Sequence, residues 1–143
     1  MTASDRIELE RELPASVEHV WRLWTDRDEL FGWLGPRGYR CEAGEIDVRP
    51  GAAFRVVMRG PAGVPYTFAG RYLVVEPPHR LSMTWGPADA PDAATVCTIE
   101  LVPRGRATLM RFTQRDIPEG DAPGYASGWS DSVDRLSERL RAG

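Results

Sequence analysis

Arg6 to Leu13 alternates, with Ile7, Leu9 and Leu13 on one side and Glu8, Glu10 and Glu12 on the other. A period of two predicts a strand with one buried face. Arg11 interrupts the apolar side near the strand's end. After Pro14 the period changes. Ser16 stands as a helix N-cap with Glu18 in the first turn, and Val17, Val20, Trp21 and Trp24 follow at helical spacing. Asp26 with Glu29 three residues on reads as a capping box for a second short helix carrying Leu30, Phe31 and Trp33, closed by Gly35-Pro36.

From Tyr39 to Gln114 the alternation returns and is cut repeatedly by turn residues. It predicts strands near 39–47, 53–59, 66–75, 80–85, 95–102 and 107–114. The connections are Arg49-Pro50-Gly51, Gly60-Pro61-Ala62-Gly63, Glu76-Pro77-Pro78, the stretch 86–94, and Pro103-Arg104-Gly105. Connections this short suit an antiparallel meander. Asp121, Ala122 and Pro123 then open a long helix. Tyr125, Trp129, Val133, Leu136 and Leu140 share one of its faces, while Asp131, Asp134, Arg135, Glu138 and Arg139 take the other. The apolar stripe of that helix needs a partner, and the buried face of the sheet supplies one. The expected class is α+β, in one domain spanning residues 1–143.

Projected onto the inward face, the alternation groups Phe54, Val56 and Met58; Tyr66, Phe68 and Tyr72, with Gly70 between them; Leu81, Met83 and Trp85; Cys97, Ile99 and Leu101; and Met110, Phe112 and Gln114. Trp33, Tyr125, Trp129 and Val133 complete the wall. Two readings stand. Aromatic and Met stripes at strand spacing are the ordinary material of a packed core. A curved sheet gripping one helix can instead leave an apolar cavity with a few polar groups, the usual form of a ligand site. On the second reading the cavity lining comprises Trp33, Phe54, Val56, Met58, Tyr66, Phe68, Tyr72, Met83, Trp85, Cys97, Met110, Phe112, Gln114, Tyr125, Trp129 and Val133. Gly70 leaves room for a ligand or lets the helix approach. Gln114 is an amide that must be hydrogen-bonded once buried, to the protein or to a bound molecule.

Composition narrows the functions. A length of 143 residues needs no disulfide or metal to stabilise its core. Net charge is −3 with both signs dispersed, so no basic stripe awaits a nucleic acid. All 18 basic residues are Arg, which removes lysine Schiff-base and amine-nucleophile chemistry. Cys41 and Cys97 lie far apart. No secretory signal or membrane-length apolar run is legible, so a reducing cytoplasm with free thiols is expected.

His19 and His79 have no neighbouring Cys or His at ligand spacing, and no nucleophile elbow, P-loop or dinucleotide fingerprint occurs. Asp47 and Arg49 flank a tight turn and are read as structural. No catalytic motif, cofactor or metal is called for.

A collinear set of motifs resembles a known family: Pro14, Val20-Trp21, Thr25-Asp26, Trp33-Leu34-Gly35-Pro36, Asp47-Val48-Arg49-Pro50-Gly51, Phe54, Gly70-Arg71-Tyr72, Pro77-Pro78-His79-Arg80-Leu81, Thr84-Trp85, Gly105, Thr108 and Gly128-Trp129. The set resembles the bacterial proteins related to the activator of Hsp90 ATPase, in the START-like (SRPBCC) superfamily. The resemblance implies a helix-grip fold like that of Bet v 1, with a curved seven-stranded antiparallel sheet around the C-terminal helix and a cavity between them. Superfamily cavities take lipids, sterols, plant hormones or polyketides, and some members are enzymes, so the fold does not settle function.

Gln114 stands where many relatives carry a histidine, and an amide does not titrate. The expectation is a binding protein for a small hydrophobic or aromatic molecule. Its rivals are an enzyme on a polyketide-like substrate and a protein-interaction module with a chaperone partner. A homodimer through flat edge strands is compatible with the sequence and undecided by it.

Overall fold

The computed structural model describes residues 4–142. Strand β1 (Ser4–Leu13) leads into helices α1 (Val17–Thr25) and α2 (Arg27–Phe31). Strands β2 (Arg40–Glu45), β3 (Ala53–Arg59), β4 (Pro65–Glu76), β5 (Arg80–Pro87), β6 (Thr95–Arg104) and β7 (Ala107–Pro118) follow, and helix α3 (Ala122–Ala142) ends the chain. All neighbouring strands are antiparallel, in the order β1-β7-β6-β5-β4-β3-β2. The first strand thus pairs with the last at one edge of the sheet, and α1 and α2 carry the chain from β1 across to β2 at the opposite edge.

Local chemistry explains the short helices. The Ser16 hydroxyl accepts from His19 N at 3.2 Å, and Asp26 Oδ1 accepts from Glu29 N at 3.1 Å. The capping box is only half formed, because Asp26 N already donates to Arg22 O, the last bond of α1. The Glu29 carboxylate faces Arg139 at 3.8 Å instead. Helix α2 is also shorter than its apolar spacing suggested. It stops at Phe31, and Trp33 lies beyond it, fully buried, its Nε1 donating to Leu23 O at 3.0 Å. On α1 the buried face contains Leu23 rather than Trp21, which is half-buried.

Three register shifts, between Asp5 and Ile7, between Cys41 and Ala43, and between Tyr72 and Val74, bend the sheet around α3. Gly70, in regular register with Phe54, lies just before the last of these shifts. A Cβ there would stand 2.0 Å from Thr84 O, and Arg71 N donates to Thr84 Oγ1 at 2.9 Å. Gly70 therefore admits the neighbouring strand; it neither opens a cavity nor seats the helix. The Asp47–Gly51 turn is held as its sequence implied, by Arg49 Nε on Asp47 Oδ1 at 2.8 Å, and is tied to β4 by Gly51 N on Tyr72 O at 2.7 Å.

The concave face of the sheet carries Phe54, Val56, Met58, Tyr72, Leu81, Met83, Trp85, Cys97, Ile99, Leu101, Met110 and Phe112, all buried. Against them lie Trp129, Val133, Leu136 and Leu140 of α3. Its other face is not simply solvated. Asp134 meets Arg11 of β1 at 2.6 Å, which accounts for the arginine in an apolar series. Arg135, Asp131 and Glu138 are directed at the segment between α2 and β2.

Candidate functional site

Residues 32–39, between α2 and β2, form neither helix nor strand, and α3 holds them in place. Ser132 Oγ accepts from Gly35 N at 3.0 Å and donates to Gly128 O at 2.9 Å. Arg37 N donates to Asp131 Oδ2 at 3.2 Å, and the Arg37 guanidinium pairs with Glu138. Arg135 Nη1 reaches four carbonyls, closest to Gly35 O at 2.9 Å and Tyr39 O at 3.1 Å, with those of Leu34 and Pro36 further off. The wall of this loop facing the sheet is thereby fixed at a distance from β3–β5. A cleft of about 200 Å³ remains, lined by Leu34, Gly35, Pro36, Tyr39, Met58, Tyr66, Phe68, Trp85, Gly124, Tyr125, Gly128, Trp129 and Ser132.

Beneath the cleft the interior is filled. A chain of aromatic rings runs inward from Phe68 to Trp85 (5.1 Å between centroids), Trp129 (5.2 Å), Trp24 (6.2 Å) and Trp33 (4.8 Å). Phe112 packs on Trp129 at 4.5 Å, and Phe54 on Trp85 at 5.7 Å. The void among Phe54, Val56, Tyr72, Met83 and their neighbours measures only about 10 Å³. That is at the lower limit for one water molecule.

The residues grouped by sequence alternation therefore divide. Met58, Tyr66, Phe68, Trp85, Tyr125 and Trp129 come together around the cleft. Phe54, Val56, Tyr72 and Met83 border the small void, and Trp33, Cys97, Met110, Phe112, Gln114 and Val133 are packed among other residues. Tyr66, expected to point inward, is 50% exposed; it lies at the start of β4 beside Tyr39, at the mouth of the cleft.

Alternation missed Leu34, Gly35, Pro36, Tyr39, Gly124, Gly128 and Ser132. One signal was present: Gly124, Gly128 and Ser132 recur every four residues on α3, a stripe of small side chains beside Tyr125 and Trp129. The loop residues gave none, since their position depends on α3.

Gln114 is fully buried. Its Nε2 donates to Thr95 Oγ1 at 2.8 Å, and Thr95 Oγ1 donates to Trp85 O at 2.8 Å. Gln114 Oε1 has no partner among the described residues. Burial pushes the Tyr125 phenol up to about 12 and the Cys41 thiol up to about 11, and it raises the Cys97 thiol still further. These groups are neutral and protonated near pH 7. His19 is half-buried and His79 exposed, and no group of His, Cys, Asp and Glu among the described residues could hold a metal ion. No helix among them is long and apolar enough to cross a membrane.

A curved seven-stranded antiparallel sheet closed on a C-terminal helix, with two short helices after the first strand, is the helix-grip fold of START-like proteins. Within that class the chain belongs to the family of activator of Hsp90 ATPase homolog 1-like proteins, whose model matches residues 14–141. It is 32% identical to a structurally characterised protein from Chromobacterium violaceum, over 94% of this chain and 96% of the other, with a TM-score of 0.87. A protein from Nitrosomonas europaea is 28% identical, over 96% and 94% of the two chains, with a TM-score of 0.84. The AHSA1 protein of Silicibacter pomeroyi shares the fold at 24% identity, over 96% and 99%, with a TM-score of 0.87. No curated protein matches the chain.

Proposed function

We propose that this protein binds a small hydrophobic molecule in the cleft between the 34–39 segment, strands β3–β5 and the first half of α3. One observation carries the reading: Trp85, Trp129 and Phe68 form the inner wall of a preformed cleft of about 200 Å³. A concave apolar surface with a few placed polar groups is the general form of a small-molecule site. The polar side chains among the cleft's lining residues are Tyr39, Tyr66, Tyr125 and Ser132, the last already bonded to Gly35 N and Gly128 O. The family, by fold, is compatible with the same use.

Binding without turnover is favoured over catalysis by the character of these groups. The Tyr125 phenol holds its proton well above neutral pH, and no His, Asp, Glu or Cys is among the lining residues, so none of them is poised as a base near pH 7. The test is a tryptophan-fluorescence titration with a broad panel of fatty acids, flavonoids and fused-ring aromatics. Saturable quenching or a blue shift supports the reading, because Trp85 and Trp129 border the cleft. A flat response across the panel refutes it.

A further inference from the structure

We infer that the cleft takes a neutral, planar aromatic molecule of one or two fused rings with a hydroxyl or carbonyl on its rim, and discriminates against carboxylates and long acyl chains. This rests on the binding reading above and adds the ligand class to it.

Size is the first argument. An apolar cavity of about 150 Å³ holds benzene, and drug-sized ligands occupy about 300–1,000 Å³. The cleft, at about 200 Å³, lies between these. It does not continue inward, since the void beneath is about 10 Å³ and the space is filled by Trp24, Trp129 and Phe112. A chain of sixteen carbons or a four-ring skeleton has no inner chamber to enter; the spaces that adjoin the cleft run along the surface, past Ala88 and Asp89 on one side and Gly120 and Asp121 on the other.

Shape is the second. Phe68 stacks on Trp85, with 17° between their planes, which leaves the outer face of the half-buried Phe68 as the flat wall of the cleft. Gly124 and Gly128 bring bare helix backbone into the lining, and nothing stands within 4 Å of a Cβ built on Gly124. A flat wall beside side-chain-free backbone makes a slot, and π-faces in such a slot prefer an offset-stacked partner.

Charge is the third. No Asp, Glu, Arg or His lines the cleft. The cation behind its wall, Arg135, directs Nη1 at the carbonyls of Leu34, Gly35, Pro36 and Tyr39, so a ligand carboxylate entering the slot would lose water without gaining a counter-ion. The phenols of Tyr39, Tyr66 and Tyr125 both donate and accept, which suits a hydroxyl or carbonyl at the ligand's edge.

The test titrates the full chain by isothermal calorimetry with 2-naphthol, 2-naphthoate and palmitate, and repeats each titration on Gly124→Leu. That variant puts a side chain into the slot from a helical position where leucine is favoured over glycine, and its melting curve checks that it folds. The expected result is saturable binding of 2-naphthol, at least about tenfold weaker binding of 2-naphthoate, none of palmitate, and loss of naphthol binding in Gly124→Leu. If palmitate or 2-naphthoate binds as well as 2-naphthol and Gly124→Leu abolishes it, the ligand class is overturned while the cleft stands as a site. If no probe binds, or if Gly124→Leu leaves binding unchanged, the class is overturned at this cleft; the broad fluorescence panel then decides separately whether the binding reading survives.

Discussion

Arg135 Nη1, midway along α3, donates to Gly35 O at 2.9 Å across a sequence separation of 100 residues. This contact, with the neighbouring one to Tyr39 O at 3.1 Å, sets the position of the only cleft wall that has no secondary structure of its own. The helix thus acts on both sides. Its apolar stripe seals the core, and its polar residues hold the loop that leaves the core's upper end open.

Arg135→Met keeps the aliphatic length and removes the donors. The carbonyls of buried Gly35 and half-buried Tyr39 then lose a charged partner, and a loss of about 2 kcal/mol is expected. Chemical denaturation measures the loss. Hydrogen exchange should show faster opening across residues 34–39 than in β6 or β7, and uniform acceleration would contradict the local role.

Trp129→Ala should cost about 3–5 kcal/mol. The ring is 4% exposed and packs on Trp85, Phe112 and Trp24, so its removal leaves a void in the aromatic chain. A change below about 1 kcal/mol in urea titration would show that the chain relaxes to fill it.

Gln114→Met should be close to neutral. The substitution removes one bond to Thr95 but also removes the unpaired Oε1, whose burial costs about 1–3 kcal/mol. Thr95 retains its bond to Trp85 O. Thermal denaturation within a few degrees of the parent is the expected outcome, and a collapse of the fold would mean that the Thr95 bond dominates.

Gly70→Ala and Gly128→Ala should differ in sign. A Cβ on Gly70 would sit 2.0 Å from Thr84 O, a backbone atom unable to withdraw without opening the β4–β5 ladder, and a loss of at least about 2 kcal/mol follows. On Gly128 it would lie 3.6 Å from Pro36 Cγ, ordinary contact, and alanine should stabilise α3 by up to about 1 kcal/mol. Parallel melting curves decide the comparison.

Alkaline pH should destabilise the fold through Tyr125. Its folded pKa of about 12 exceeds the unfolded value of about 10. Burial favours the neutral phenol, so the contribution is complete below pH 10 and declines as pH rises from there through 12. Tyr125→Phe should flatten the loss over that range, and an unchanged alkaline limb would place its origin elsewhere.

The alternating and helical periods located every described strand and α-helix, because each buries one face and its period is written in adjacent residues; the 3-10 turn at Pro91–Ala93, inside the stretch read as a connection, has no such period. Boundaries shifted where neighbours intervened. Helix α2 stopped at Phe31 because Trp33 turns inward to bond Leu23 O, and β7 ran on to Pro118 beyond the expected end at Gln114. The inward rows were legible too, since Met83, Cys97 and Phe112 are buried as their alternation required.

Which of those residues meet at a cleft was not legible. Burial is a property of one residue and its period, whereas an open space is the difference between two surfaces. Here one surface is the loop at 32–39, whose position is decided by Ser132, Arg135 and Glu138 from the far end of the chain. In sequence Arg135 and Glu138 read as the polar face of α3, and nothing local distinguishes a polar side chain facing water from one facing carbonyls. The sequence by itself determined the elements, their order and the apolar face they share, because those follow from local periodicity. Only the tertiary structure decided where the aromatic interior is filled and where it stays open, because packing at that point depends on hydrogen bonds between residues about a hundred positions apart.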